Sequence, residues 1–376
     1  MSQFVHLHVH TQYSILDGAA SISSLVAKAK ADGMPALAVT DHGNMYGAKE
    51  FYDTATKAGI KPIFGCEVYM VKDRFQKSKA TERRHHLLLL AKNERGYHNL
   101  IKLVSLGFTD GYFDGRARID AELLTELHED IICCSACIAG EVPRAIINDD
   151  MVEAERVARW FKELFSDDYY FEMQLFKPLP GWDQGAYPKQ VKANEGLMAL
   201  SKKLGIKVVC TNDVHFTDAD DAEPHDHLIC LNTGKLLNDE KRMRYSGQEY
   251  FKTTEQMAEL FAHCPEALAN TIEIANKVEE FTLNHDPLMP NFPIPEDLEI
   301  DYTRLRESFL KKIKDEAVKA RMEAYSGEEL EQAVENAITY SKRIIVEKLV
   351  EKLKEINCSV LGNYYECEAS VCEAPI

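Results

Sequence analysis

Along the first two-thirds of the chain, short runs of β-branched and apolar residues alternate with segments whose apolar positions recur at helical spacing. Seven stretches read as strands: Phe4 to His8, Ala36 to Thr40, Lys61 to Gly65, His86 to Ala91, Ile131 to Ser135, Tyr170 to Leu175 and Lys207 to Thr211. Between the first two, Ile22, Leu25, Val26 and Ala29 fall at i, i+3, i+4 and i+7, with Ser21 placed to cap the helix and Gly33 to stop it. Met45, Ala48, Tyr52 and Ala55 repeat that spacing before Gly59, and Ala193, Leu197, Leu200 and Leu204 repeat it before Gly205. The alternation predicts βα units, with amphipathic helices packed outside a parallel sheet or barrel.

The pattern changes after about Lys235. Tyr250-Phe251-Lys252 leads into helical segments over 254 to 280, and residues 286–299 form a proline-rich connector. Beyond it, residues rich in Glu, Lys, Leu and Ala at helical period predict a small helical segment over 300–376. The expected organisation is therefore a large domain over 1–285, the connector, and this C-terminal piece. At 376 residues the chain has room for one core of about 250 residues and an appendage.

Polar residues recur where a βα barrel gathers its active site, at the ends of successive strands. His8 and His10 close the first, Asp41 and His42 the second; Glu67 follows the third, Cys137 the fifth, and Asp213 and His215 the seventh. Asp17 lies in the loop after the first strand, and His86 begins the fourth. Because side chains alternate in extended chain, His8 and His10 point to one side, as do Asp213 and His215. Mixed imidazole and carboxylate donors suit zinc, manganese or iron, and this many donors exceed what one ion takes.

Other candidates read as structural. His6 lies inside the first strand as a core histidine; His86 rather than His85 faces inward; His225 and His227 fall on different faces of a helix. Arg116 and Arg118 offer either a cationic fork for a substrate phosphate or an ordinary solvated loop pair.

Composition narrows the function classes. An apolar fraction of 45% with 28% charged residues is that of a globular protein, and no apolar run approaches the roughly 20 residues of a membrane span. The opening Met-Ser-Gln-Phe-Val-His lacks a basic and an apolar stretch, so a cytoplasmic location is expected, with ten dispersed cysteines as thiols. A net charge of −17 argues against gripping duplex DNA by phosphate neutralisation alone.

Leu7-His8-Val9-His10-Thr11, Thr40-Asp41-His42-Gly43, Gly65-Cys66-Glu67 and Thr211-Asn212-Asp213-Val214-His215 together resemble the four motifs of the polymerase-and-histidinol-phosphatase (PHP) family. Ser14-Ile-Leu-Asp17-Gly18, Leu87 to Asn93 with Gly96-Tyr97, Arg118-Ile-Asp120 and Cys137 to Glu141 are similar to the branch attached to the bacterial DNA polymerase III alpha subunit. The resemblance spans roughly 3 to 295. It implies a distorted seven-stranded (β/α) TIM-like barrel holding two or three divalent ions on His8, His10, Asp17, His42, Glu67, His86, Cys137, Asp213 and His215. It also implies metal-dependent 3′–5′ exonuclease activity on DNA ends, with His8, His10, His42, Asp213 and His215 at its centre, beside other replicative polymerase subunits.

No Asp-x-Asp-x-Asp cluster or glycine- and serine-rich nucleotide-binding segment follows the connector, so polymerase chemistry is not expected of this stretch. The resemblance is then that of a fragment, a truncated product or a free-standing relative. Two alternatives stand beside the exonuclease: a small-molecule phosphate monoesterase, and a metal-stabilised scaffold for polymerase and proofreading subunits.

Overall fold

A computed structural model describes residues 3–285 except 81, 178, 183 and 184, together with the backbone of 345–350, 354–363 and 366–369. It divides into two units, Met1–Leu283 and Asn284–Ile376. In the first unit the elements are α1 (Ile22–Ala31), β1 (Ala36–Val39), α2 (Ala48–Ala58), β2 (Lys61–Met70), β3 (His85–Ala91), α3 (Glu94–Thr109), β4 (Arg118–Ile119), α4 (Ala121–Leu127), β5 (Ile131–Cys134), α5 (Glu141–Ile147), α6 (Met151–Phe165), β6 (Tyr169–Met173), α7 (Ala186–Leu204), β7 (Lys207–Cys210), α8 (Ala222–Thr233), α9 (Thr254–Leu260) and α10 (Pro265–Lys277).

The strands form a curled sheet in the order β1-β2-β3-β5-β6-β7, with β4 beside β2. The extended segment 3–10 lies between its two ends, bonding to β1 through Ala38 N to His6 O and to the residues after β7 through Val214 N to His8 O. The result is an α/β barrel of the TIM-like kind. Residues alternate between two cores: Val5, Leu7, Ala38, Ile63, Leu88, Leu90, Ile132, Tyr170 and Val209 fill the interior, while Phe64, Leu89, Phe171 and Val208 face the surrounding helices.

Helix α10 plugs the interior at the end where most strands begin. Its Ile274 and Ala275 join the inner cluster, Thr271 Oγ1 accepts from Val5 N at 3.1 Å, and Asn270 Nδ2 donates to Val208 O at 2.7 Å. The opposite end stays free for chemistry. Capping follows the sequence at α1, where Ser21 accepts from Ser24 N, and at α2 and α7, which stop at left-handed Gly59 and Gly205.

Several expectations need correction. Phe4 to His8 is not a regular strand: successive bonds, Ala38 N to His6 O and Thr40 N to Val9 O, advance two residues on β1 but three on the segment, the register of a bulge. The bulge turns His8 and His10 toward the barrel end and leaves His6 outside it, between Phe4 and Phe251. Strand β3 runs antiparallel to both neighbours, so the sheet is mixed rather than parallel. Strand β2 extends to Met70, which puts Glu67 within a strand and not after it.

The helical expectation for the C-terminal piece fails where it can be compared. Residues 345–350, 354–363 and 366–369 form a three-stranded antiparallel sheet. Ile344-Ile345-Val346, Ile356 and Val360 bring the β-branched content that favours extended chain over the helical period. The connector 286–299 and residues 300–344 lie outside the described residues. Among the described residues no helix is long and apolar enough to cross a membrane.

Candidate metal centre

The bulge aims the first two histidines. His8 Nε2 lies 3.3 Å from both Glu67 Oε1 and Asp213 Oδ1, and His10 Nε2 lies 3.3 Å from Asp213 Oδ1 and 3.6 Å from Glu67 Oε2. The β1–β2 register continues past the strands to the bridge His42–Glu67, which sets these residues side by side with His42 Nδ1 2.8 Å from Glu67 Oε2. The reversed direction of β3 explains why its first residues, not its last, reach the cluster. His86 pairs with Tyr69 at the same end, and its Nδ1 lies 2.9 Å from Glu67 Oε1.

The remaining members ride on loops. Asp17 Oδ2 is 3.0 Å from His42 Nε2, on a turn that needs Gly18, since a Cβ there would come within 2.0 Å of Thr11 O. Cys137 Sγ is 3.5 Å from His86 Nδ1 and 3.9 Å from Glu67 Oε1. Leu16, Ala136 and Asp213 adopt left-handed backbone with φ of 63°, 60° and 45°, so non-glycine strain sits at each of three loops that feed the cluster. The ring of His215 stacks on His10 at 4.3 Å.

All nine candidate residues therefore converge at one barrel end. His8, His10 and Glu67 form its buried floor, while His42, Asp17, Asp213 and His86 keep 14–23% side-chain exposure at the rim, where a substrate can reach them.

Hydrogen bonds on the far side of each ring fix which nitrogen is free. His8 Nδ1–H donates to Glu172 Oε1 at 2.6 Å. His10 Nδ1–H donates to Ser14 Oγ, 2.9 Å away, and Ser14 Oγ donates to Asp41 Oδ1. His215 Nδ1–H donates to the Asp213 carbonyl at 2.8 Å. In all three, the Nε2 lone pair is left facing the cluster.

Those lone pairs have no partner. His8, His10 and His215 Nε2 and Asp213 Oδ1 are buried without a hydrogen bond, while His42 Nδ1 and Glu67 Oε2 meet each other at 2.8 Å. An unsatisfied buried polar atom costs on the order of 1–3 kcal/mol, so four in one cluster favour a bound cation. Three triads, His10/His42/His215, His8/His10/Asp213 and His42/Glu67/His86, each bring their donor atoms within 4.8 Å of one another. This donor set fits divalent metal ions.

Burial opposes charge on His8, but Asp213, Glu172 and Glu67 outweigh it and raise its pKa well above the ordinary histidine value. Burial and the neighbouring His42 and His215 push His10 down to about 3. Although burial works the other way, the surrounding imidazoles hold Glu67 well below the usual carboxylate range, and Asp213 is held down in the same manner by His8 and His10. Burial drives the Cys137 thiol up, with Glu67 and Asp213 adding to it. A thiolate there needs a cation beside it.

Two sequence candidates part company with the cluster. Arg118 is fully buried and its donors go to the carbonyls of Gly111 (2.6 Å), Arg74 (2.8 Å) and Gln76 (3.1 Å). It braces the 111–119 hairpin and, fully buried on those carbonyls, is turned away from any incoming phosphate. Arg116 instead lies over the Tyr69 ring at 5.5 Å, and Tyr69 stacks on His42 at 5.9 Å.

The residues around the ligand set are supports, of which sequence reasoning singled out Asp41 at its strand end and missed Glu172 and Tyr245. Glu172, Ser14 and Asp41 orient histidines, and Tyr245 donates to Asp17 Oδ1 at 2.8 Å. His225 bonds the Asp17 carbonyl through Nε2 at 2.8 Å, a structural role as expected. Glu172 left a signal: it is a lone carboxylate inside the otherwise apolar and aromatic strand Tyr169–Met173.

An α/β barrel with an imidazole–carboxylate cluster at its open end defines a class, and the family model described as PHP domain matches residues 6–175. Over those residues the chain carries a PHP domain. It is 42% identical over 299 residues to DNA polymerase III subunit alpha of Borreliella burgdorferi, covering 78% of this chain and 25% of that protein. It is 38% identical over 362 residues to the subunit of the same name from Chlamydia pneumoniae, covering 87% of this chain and 28% of that protein. The chain thus spans about a quarter of the length of the curated relatives it matches. A second family model, described as D-ala D-ala ligase C-terminus, matches residues 321–374. Among solved structures, an amidohydrolase from Chromobacterium violaceum aligns at 15% identity over 56% of this chain and 87% of its own, with a TM-score of 0.36.

Proposed function

We propose that residues 1–285 are a metal-dependent phosphoester hydrolase module that removes nucleotides from DNA 3′ ends, in the cytoplasm, alongside the subunits of a bacterial replicative polymerase. The observation that carries this reading is the set of buried imidazole and carboxylate atoms converging at the barrel end, four of them without a hydrogen bond. His8, His10, Asp17, His42, Glu67, His86, Cys137, Asp213 and His215 would hold two or three zinc, manganese or iron ions. Such ions polarise a phosphoryl oxygen and make water a competent nucleophile at neutral pH.

The chain's own residues supply the rest. The relays from His10 through Ser14 to Asp41, and from His8 to Glu172, keep the imidazole lone pairs aimed inward. Arg116, beside Tyr69 at the rim, is the cation placed to contact an incoming phosphate. The polymerase context is taken from the relatives, which carry about three times as much chain again.

The net charge of −17 favours a second reading, a small phosphate monoester as substrate. The two separate on one comparison: nucleotide release from single-stranded DNA against phosphate release from monoesters, each with zinc, manganese and iron. Preferential turnover of DNA, abolished by His10→Ala or Asp213→Ala, is the expected result. Turnover of monoesters alone would replace the exonuclease with the second reading, and unchanged turnover in both variants would remove the cluster from the chemistry.

A further inference from the structure

We infer that Glu172 is a positioning residue for the metal centre, acting through His8; this rests on the metal-binding reading above. Strand β6 alternates Tyr170, Glu172 and Gln174 on the interior face with Phe171 and Met173 among the outer helices. The carboxylate is thereby buried below the cluster, 2% exposed, where apolar side chains fill the barrel. Three donors converge on one of its oxygens: His8 Nδ1–H at 2.6 Å, Thr211 Oγ1 at 2.5 Å and Gln174 Nε2 at 3.0 Å. Its backbone N–H donates to Ser135 Oγ at 2.9 Å, which locks the strand in register. The other oxygen has no hydrogen bond at all.

A buried carboxylate in that position is poorly compensated by Thr211 and Gln174, which are neutral. Its one charge-bearing route is through the imidazole, whose opposite nitrogen faces Glu67 and Asp213 at 3.3 Å with no partner of its own. A cation bound at His8 Nε2 completes the arrangement. The carboxylate then fixes the ring's orientation and tautomer and strengthens it as a donor, an effect whose loss weakens metal affinity by about 10–100-fold. A purely structural strap between segment 3–10 and β6 would affect melting but not affinity.

The test uses the full chain with zinc alone as probe. Zinc affinity is measured by competition with a chromogenic chelator for the native protein, Glu172→Gln and Glu172→Leu, alongside the melting temperature of each metal-free protein. Nitrogen-15 histidine spectra of the zinc-loaded proteins follow the His8 Nδ1 proton. The expected result is a loss of affinity of about 10–100-fold in both variants and an upfield move or disappearance of that proton. Should Glu172→Leu not fold, Glu172→Gln, which keeps the volume, carries the measurement. Zinc affinity within twofold of native in Glu172→Gln, with the His8 proton unmoved, overturns the inference and leaves the metal centre standing. A native protein that binds no zinc, manganese or iron overturns both.

Discussion

Glu67 is the residue whose replacement tests the cluster most severely, because four imidazole nitrogens lie within 3.6 Å of its oxygens: His42 at 2.8 Å, His86 at 2.9 Å, His8 at 3.3 Å and His10 at 3.6 Å. Glu67→Gln keeps the volume in a strand where the site is 1% exposed and removes only the charge. Without metal, the variant loses the anion that faces those rings. The cost is about 1–3 kcal/mol rather than the 3–5 of a fixed buried pair, since imidazoles can release their protons. With metal the difference grows. Ions present at about a thousand times their dissociation constant stabilise the native barrel by about 4 kcal/mol, which for a domain of this size raises melting by roughly 10 °C. Differential scanning fluorimetry with and without zinc or manganese, after chelation and dialysis, should show that rise in the native protein and lose most of it in Glu67→Gln. A variant that retains the full metal-dependent rise would refute the assignment of Glu67 as a metal donor.

Arg118→Ala should destabilise by about 3–5 kcal/mol, because it strips three carbonyls of their donors and empties a fully buried site, while Glu82 keeps Arg84 at 2.6 Å; equilibrium urea unfolding reads this, and metal affinity should not change. Arg116→Ala, by contrast, should leave stability within about 0.5 kcal/mol and raise KM on single-stranded DNA with little change in kcat. Lys252 supplies a pH test. Burial lowers its pKa to about 7, against 10.5 when unfolded, so the unfolded chain binds the extra proton across that window. The native protein should therefore gain stability relative to Lys252→Met as pH rises from 7 toward 10.5, by at most about 4–5 kcal/mol, and the gap should be flat below pH 7. A gap that does not vary with pH in urea titrations would mean that the ammonium keeps its charge in the fold.

The strand-end residues were legible because short continuous apolar runs bounded by polar residues mark buried strands wherever the ladder is regular, as at β1, β5 and β7. The first segment escaped that reading. A bulge shifts side-chain parity within it, so His6 and His8, alike on strict alternation, face different surroundings. Strand direction was equally silent. An apolar run reads the same in either sense, and only the pairing of His86 with Tyr69 shows β3 reversed. His86 had nonetheless betrayed it by standing at the start of its strand while its companions stood at the ends of theirs.

The supports were harder to see, since Glu172 reaches His8 across 164 residues and Asp41 reaches His10 only through Ser14. Arg118 shows the converse failure: a charged residue beside Gly115 and Arg116 looks like a surface loop, yet the fold turns it inward onto carbonyls. At the C-terminal piece, Glu- and Lys-rich composition suggested helix where the β-branched residues set the backbone.

Metal held by the donors at the barrel end would survive dialysis of the purified chain against metal-free buffer and be counted by elemental analysis, run beside Asp213→Ala. The expected result is about two to three divalent ions per native chain and a clear deficit in the variant. Native protein that retains no ion, and takes up none when zinc, manganese or iron is supplied, would contradict it.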